Sequence, residues 1–123
     1  MRNIIRSKPL INEKVTFRIG KKKMKIHVMA YVDDIIDAYD KAQERLSKAE
    51  NLLKADASMA NTVEYGAAAA GLMQVVFGDE CAAAIIKCYE GRHIQMLADV
   101  YPFIQKKILP KLNDPFGKVR IER

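Results

Sequence analysis

The sequence predicts an α+β fold, mainly α, with an N-terminal β-hairpin packed on a bundle of about four helices. Three features point there. Period-two alternation of apolar residues runs through residues 13–28, the mark of half-buried strands. Apolar seams at spacings of three and four fill most of residues 32–112, the mark of amphipathic helices. Gly78 and Gly91 interrupt that helical pattern, and each is followed by a fresh period. With 123 residues and half of them apolar, a single domain with its own core is expected.

The elements follow in order. Residues 1–12 show no period and include Pro9, so an extended or mobile lead-in is expected. Val15, Phe17 and Ile19 alternate with Thr16 and Arg18. After Gly20-Lys21-Lys22-Lys23, Met24, Ile26 and Val28 alternate with Lys25 and His27. Two such runs around a glycine-containing turn read as a hairpin. A lone hairpin is marginal in water, so its apolar face should pack on helices. Its other face and tip present Arg18, Lys21, Lys22, Lys23, Lys25 and His27. Such a basic face suits contact with phosphate, and lysines also guard an edge strand against aggregation.

The first helix is expected over Val32–Ala55, with Asp33 and Asp34 in the turn where the helix dipole favours acids. Ile35, Tyr39, Ala42, Leu46, Ala49 and Leu53 form an apolar seam of heptad period. Asp37/Lys41, Glu44/Lys48 and Glu50/Lys54 each place an acid four residues before a base, which supports a helix modestly. The second helix is expected over Met59–Phe77, with Ser58 or Asn61 as its cap. In it Gly66 and Ala70, and Ala67 and Gly71, sit four apart and would admit another backbone closely. Internal packing is the expected use, and self-association in a homo-oligomer the other one.

Gly78 should stop the second helix and Asp79 cap the third, over residues 81–90, with Ile85, Ile86 and Tyr89 inward. Gly91 ends it. A last helical region over residues 93–112 places Ile94, Leu97, Tyr101, Ile104 and Ile108 on one face, with a kink or restart at Pro102. Residues 113–117 read as a turn, and residues 114–123 are expected to be extended or mobile.

Charge is unevenly spread. Residues 1–28 carry nine Lys or Arg against Glu13 alone, while residues 29–80 carry four basic and ten acidic side chains. Solvated faces are the commoner meaning of such runs, so mutual neutralisation within one fold is expected. The alternative is a small basic nucleic-acid-binding or regulatory protein using Arg18, Lys21, Lys22, Lys23 and Lys25. Phe17 then falls on the core face and not among the lysines, which leaves little stacking surface for bases.

Cys81 and Cys88, seven apart in a helix, lie about 10.5 Å apart along it, beyond the roughly 7 Å between Cα atoms that a disulfide tolerates. Free, buried thiols are expected. No apolar run reaches membrane-spanning length and the first residues lack a signal-peptide pattern, so a cytoplasmic location is expected. Asp33, Asp37 and Asp40 have no calcium-loop glycine among them, and no metal site or cofactor is expected. There is no phosphate loop, His-Glu-x-x-His or nucleophile elbow. The only histidines are His27 and His93, and the expectation is a protein that is not an enzyme.

Val76-Phe77-Gly78-Asp79-Glu80, followed by Ile85-Ile86 and Tyr89-Glu90-Gly91, resembles the tail assembly chaperones of long-tailed bacteriophages and prophages. The likeness covers residues 13–112; Lys21–Lys23 and Pro102 have no counterpart in the family pattern. The resemblance implies a non-enzymatic factor that binds and solubilises the tape measure protein and helps recruit tail tube subunits in the bacterial host cytoplasm. It also implies a possible longer product made by translational frameshifting. On that reading the seam residues Ile35, Tyr39, Leu46 and Leu53, with Phe77, would bind an apolar stripe of the partner. Gly66, Gly71, Gly78 and Asp79 would be structural.

Overall fold

In a computed structural model, which describes residues 10–113, the alternating segment forms two antiparallel strands, β1 (Leu10–Ile19) and β2 (Lys22–Tyr31). Ile19 pairs with Lys22, so the turn is Gly20-Lys21 alone, and Lys22 and Lys23 belong to β2. Gly20 sits at φ +65°, the conformation that two-residue hairpin turns need to match strand twist. Phe17, Ile19, Ile26 and Val28 are buried, with Val15 and Met24 half-buried beside them. β1 starts at Leu10, and Ile11 is fully buried, so the strand extends three residues into the expected lead-in. Residues 1–9 and 114–123 lie outside the described part, as do the lead-in and tail expected there.

Tyr31 passes directly into α1 (Val32–Ala55), which packs against α2 (Met59–Phe77). The seam of α1 faces inward: Tyr39, Leu46 and Ala49 are buried, and Ile35, Ala42 and Leu53 half-buried. Ser58 is the cap of α2, its Oγ accepting from the Asn61 amide at 3.1 Å. Asn61 closes the previous helix instead: its side-chain amide donates to the Leu52 carbonyl at 3.2 Å and the Asp56 carbonyl at 2.8 Å. The Leu52 carbonyl also accepts from the Asp56 amide at 2.9 Å, so Asn61 adds a second bond there and ties down the residue just past the helix end. Arg45 on α1 donates two hydrogen bonds to Glu64 on α2, at 2.8 and 3.0 Å. Those bonds hold the Glu64 carboxyl below its ordinary pKa, although the pair is half-exposed. Of the three expected intrahelical pairs, Glu50 and Lys54 approach to 3.7 Å.

The two glycines of α2 differ. A Cβ built on Gly66 would meet the His93 ring at 2.9 Å, whereas on Gly71 it would meet only Arg45, at 3.9 Å. Gly66 therefore permits close packing, against the start of the last helix. Gly71 has room for a Cβ, and the expectation of close packing there is corrected.

Gly78, at φ +82° and ψ 162°, ends α2 and begins α3 (Asp79–Tyr89). Its carbonyl accepts the first bond of α3, from Ala82 at 2.9 Å, which makes Gly78 the cap. Asp79 is thereby corrected from cap to first helical residue, exposed and without a capping hydrogen bond. Ile85 and Tyr89 are buried and Ile86 half-buried.

The last helical region comprises α4 (His93–Phe103), a π-helical turn over Ile104–Ile108 and α5 (Leu109–Asn113). The helix does not restart at Pro102, since Phe103 and Ile104 keep helical dihedrals. Val100, Ile104, Ile108 and Leu112 are all buried at a spacing of four. A regular α-helix overshoots by about 40° every four residues, so such a row drifts off the core. The Leu109 amide bonds to the carbonyl of Ile104, five residues back, and this wider turn absorbs the drift. Ile94 was expected on the buried face but stands 68% exposed, because Met96, Leu97 and Val100 supply the inward row of α4.

Phe17, Phe77 and Phe103 meet where the hairpin joins the helices, with ring centroids 6.0–6.2 Å apart. Two contacts are edge-on and one is stacked, the offset geometries that aromatic quadrupoles favour. The fold is thus α+β and mainly α, with the hairpin's apolar face in the common core. Among the described residues no helix is long and apolar enough to cross a membrane.

Candidate protein-binding site

The residues expected to bind a partner do not form an exposed face. Tyr39, Leu46 and Phe77 are 3%, 6% and 9% exposed, and Ile35 and Leu53 are half-buried against the same core. The heptad seam of α1 is used up by α2 and the last helix. The Tyr39 hydroxyl is buried with no hydrogen-bond partner among the described residues. Burial first, and then the neighbouring Tyr101, raise its pKa above the ordinary tyrosine value. The Tyr39 side chain is thus a packing group of the core.

Apolar surface remains open elsewhere. A cleft of about 400 Å³ runs between α1, α2 and α4, with Leu46, Leu97 and Tyr101 along it and Gln43, Glu50 and Gln105 at its edge. Tyr101 donates to Gln43 at 2.9 Å, which fixes one wall. A second cleft of about 410 Å³, lined by Thr62, Arg92 and His93 among others, adjoins it, and Tyr65 and Ile94 line both. Together they form a trough with Ile94 projecting between its two halves. Burial, and then the charge of Glu50, raise the Tyr65 pKa, so its hydroxyl stays neutral. Further apolar side chains are exposed at the α1–α2 turn: Leu52, Met59 and Val63, with Met59 at 80%. Met59 and Val63 are four apart and so share a helix face.

The expected basic residues divide between positions. Arg18, Lys23 and Lys25 share the outer hairpin face with Lys14, while Lys21 sits in the turn and Lys22 pairs with inward-facing Ile19. The same outer face has an apolar end at Leu10, Met29 and Tyr31. Arg18, Lys23 and Lys25 also border a shallow depression of about 700 Å³ whose far wall is Tyr89 and Asp99. There Tyr89 donates to Asp99 at 2.8 Å and Gln95 to its other oxygen at 2.9 Å. Burial, followed by that bond, raises the Tyr89 pKa. His27 contacts Asn12 across the strands.

Gly66 lies under His93, Gly78 and Asp79 form the α2–α3 junction, and Gly71 borders Arg45. Cys81 and Cys88 are free and half-buried, less buried than expected. No group of three or more His, Cys, Asp or Glu among the described residues is placed to hold a metal ion.

Sequence reasoning missed Ile94 as a surface residue and Tyr65, itself buried, as a wall of both clefts. The available signal was that Ile94 follows Gly91 closely and precedes the inward row at Met96 and Leu97. No protein-family model, curated protein or solved structure matches the chain.

Proposed function

We propose that this protein is a non-enzymatic tail assembly chaperone of a long-tailed bacteriophage or prophage. It binds the tape measure protein, keeps it soluble and helps recruit tail tube subunits in the bacterial host cytoplasm. The resemblance around Phe77–Glu80 supplies the family. The single structural observation that supports it is the trough between α1, α2 and α4, with Ile94 exposed between its two halves.

Exposed apolar groups gathered in a groove and edged by polar ones suit an amphipathic helix laid lengthwise. From Ile94 to Gln105 the trough wall runs about 16 Å, or three turns of a bound helix. A tape measure protein, long and largely helical, offers such stripes repeatedly. The binding face is therefore the trough and not the buried seam of α1.

Co-expression with a phage tape measure protein tests the proposal. The wild-type chain is expected to raise that protein's soluble fraction and to co-purify with it. Ile94→Asp, at an exposed position, is expected to abolish both while leaving the melting temperature unchanged. No gain in solubility with the wild-type chain would reject the reading.

A further inference from the structure

Two oppositely charged surfaces face solvent on this chain without pairing with each other. On the outer hairpin face Arg18 stands opposite Lys23, Thr16 opposite Lys25 and Lys14 opposite His27, all exposed. Like charges across a strand pair destabilise it. None of Lys14, Arg18, Lys23 and Lys25 makes an ion pair with a described residue. On α1, Asp33, Asp37, Asp40 and Glu44 recur at spacings of four, three and four, and all are exposed. Helical geometry places that stripe directly opposite the buried Tyr39, Leu46 and Ala49. Its acids likewise lack ion pairs among the described residues; Asp34, Lys41 and Lys48 flank it along one side, and the stripe keeps an excess of acid. The expected neutralisation within one fold is therefore not made by direct pairing of these groups.

The two surfaces match in size. Lys14 to Arg18 covers about 14 Å of strand, and Asp33 to Glu44 about 16 Å of helix. A helix roughly 10 Å across covers a ribbon of two strands spaced about 4.8 Å apart. They cannot meet within one copy: β2 runs into α1 without a linker, and the hairpin's inner face packs into the core beside its own helices.

We infer that the outer hairpin face of one copy docks on the acidic α1 stripe of a second copy, head to tail. The two surfaces differ, so the contact is heterologous, and each added copy leaves one of each free. The association grows into rings or open chains. It stands apart from the trough proposed for the tape measure protein and does not depend on it.

Sedimentation velocity on the whole chain tests this. At low salt the wild-type mass is expected to rise with concentration. In about 0.5 M salt, where exposed charges are screened within a few ångströms, association is expected to weaken at least tenfold. Lys23→Gln/Lys25→Gln loses one surface and Asp37→Asn/Asp40→Asn the other, so each variant alone is expected to be monomeric. Mixed in equal amounts, they retain one intact contact between them and are expected to form a dimer that grows no further. All the substituted positions are exposed, and unchanged melting temperatures confirm folding.

A wild-type chain that stays monomeric at low salt overturns the inference. So does persistent association of either variant alone, or failure of the mixture to dimerise. If the chain stays monomeric yet binds a short DNA duplex through the same lysines, the face serves nucleic acid instead.

Discussion

The two junctions that flank α3 reverse the chain by different means. At the α2–α3 junction a single residue, Gly78, donates its amide to Gln74 and accepts from Ala82, both at 2.9 Å. It thus belongs to the bonding pattern of both helices, and with φ +82° and ψ 162° it occupies a region essentially closed to other residues. The α3–α4 junction spreads the reversal over Glu90, Gly91 and Arg92. Glu90 is left-handed at φ 53° and ψ 41°, its amide shared between Ile86 and Lys87, and Gly91 follows at φ +83°. A short junction demands one residue type, whereas a longer one tolerates an acid where glycine would do better.

The largest expected effect is Gly78→Val, with a loss of about 3 kcal/mol from forcing a β-branched residue into that region. Nothing lies within 4 Å of a Cβ there, so the cost is backbone strain alone. Denaturant unfolding measures it, and equal midpoints for variant and wild type would break the contrast between the junctions. Next comes Glu90→Gly, expected to stabilise by about 1 kcal/mol as the left-handed strain is relieved. It also removes the 3.5 Å Arg92 contact, which is too exposed to count for much. A lower melting temperature in thermal unfolding would show that Glu90 is held there for another reason. Smallest is Asp79→Ala, whose side chain caps nothing and meets only the helix dipole, so about 0.5 kcal/mol is expected. A loss several times larger would restore Asp79 as a cap.

Most of the architecture was legible because two periods differ cleanly: two along Val15–Ile19 and Met24–Val28, three and four along Ile35–Leu53. The role of that seam was not legible. Periodicity identifies which side of a helix is apolar but not what covers it, and Tyr39 and Leu46 turned out to be covered from within. The reverse held for Ile94, whose apolar character suggested burial that Met96 and Leu97 already supplied. Gly66 and Gly71 read alike in sequence and differ because only one lies under the His93 ring, a contact between positions 27 residues apart. Pro102 drew attention as a breaker, yet the irregularity falls at Ile104–Ile108, set by the four-residue spacing of the buried row. Asn61 looked like a cap for the helix it belongs to and instead closes the one before it.

The aromatic contact at the base of the hairpin has a mechanical consequence. Phe17 points inward between Thr16 and Arg18, which point outward, so a pull on the outer face reaches the core within one residue. Its ring touches Phe77, which adjoins Gly78, and Phe103, which precedes the π-helical turn. Elements far apart along the chain thus share one anchorage. The hairpin cannot peel away while the helices stay shut, and a load applied to its surface is borne by the whole domain.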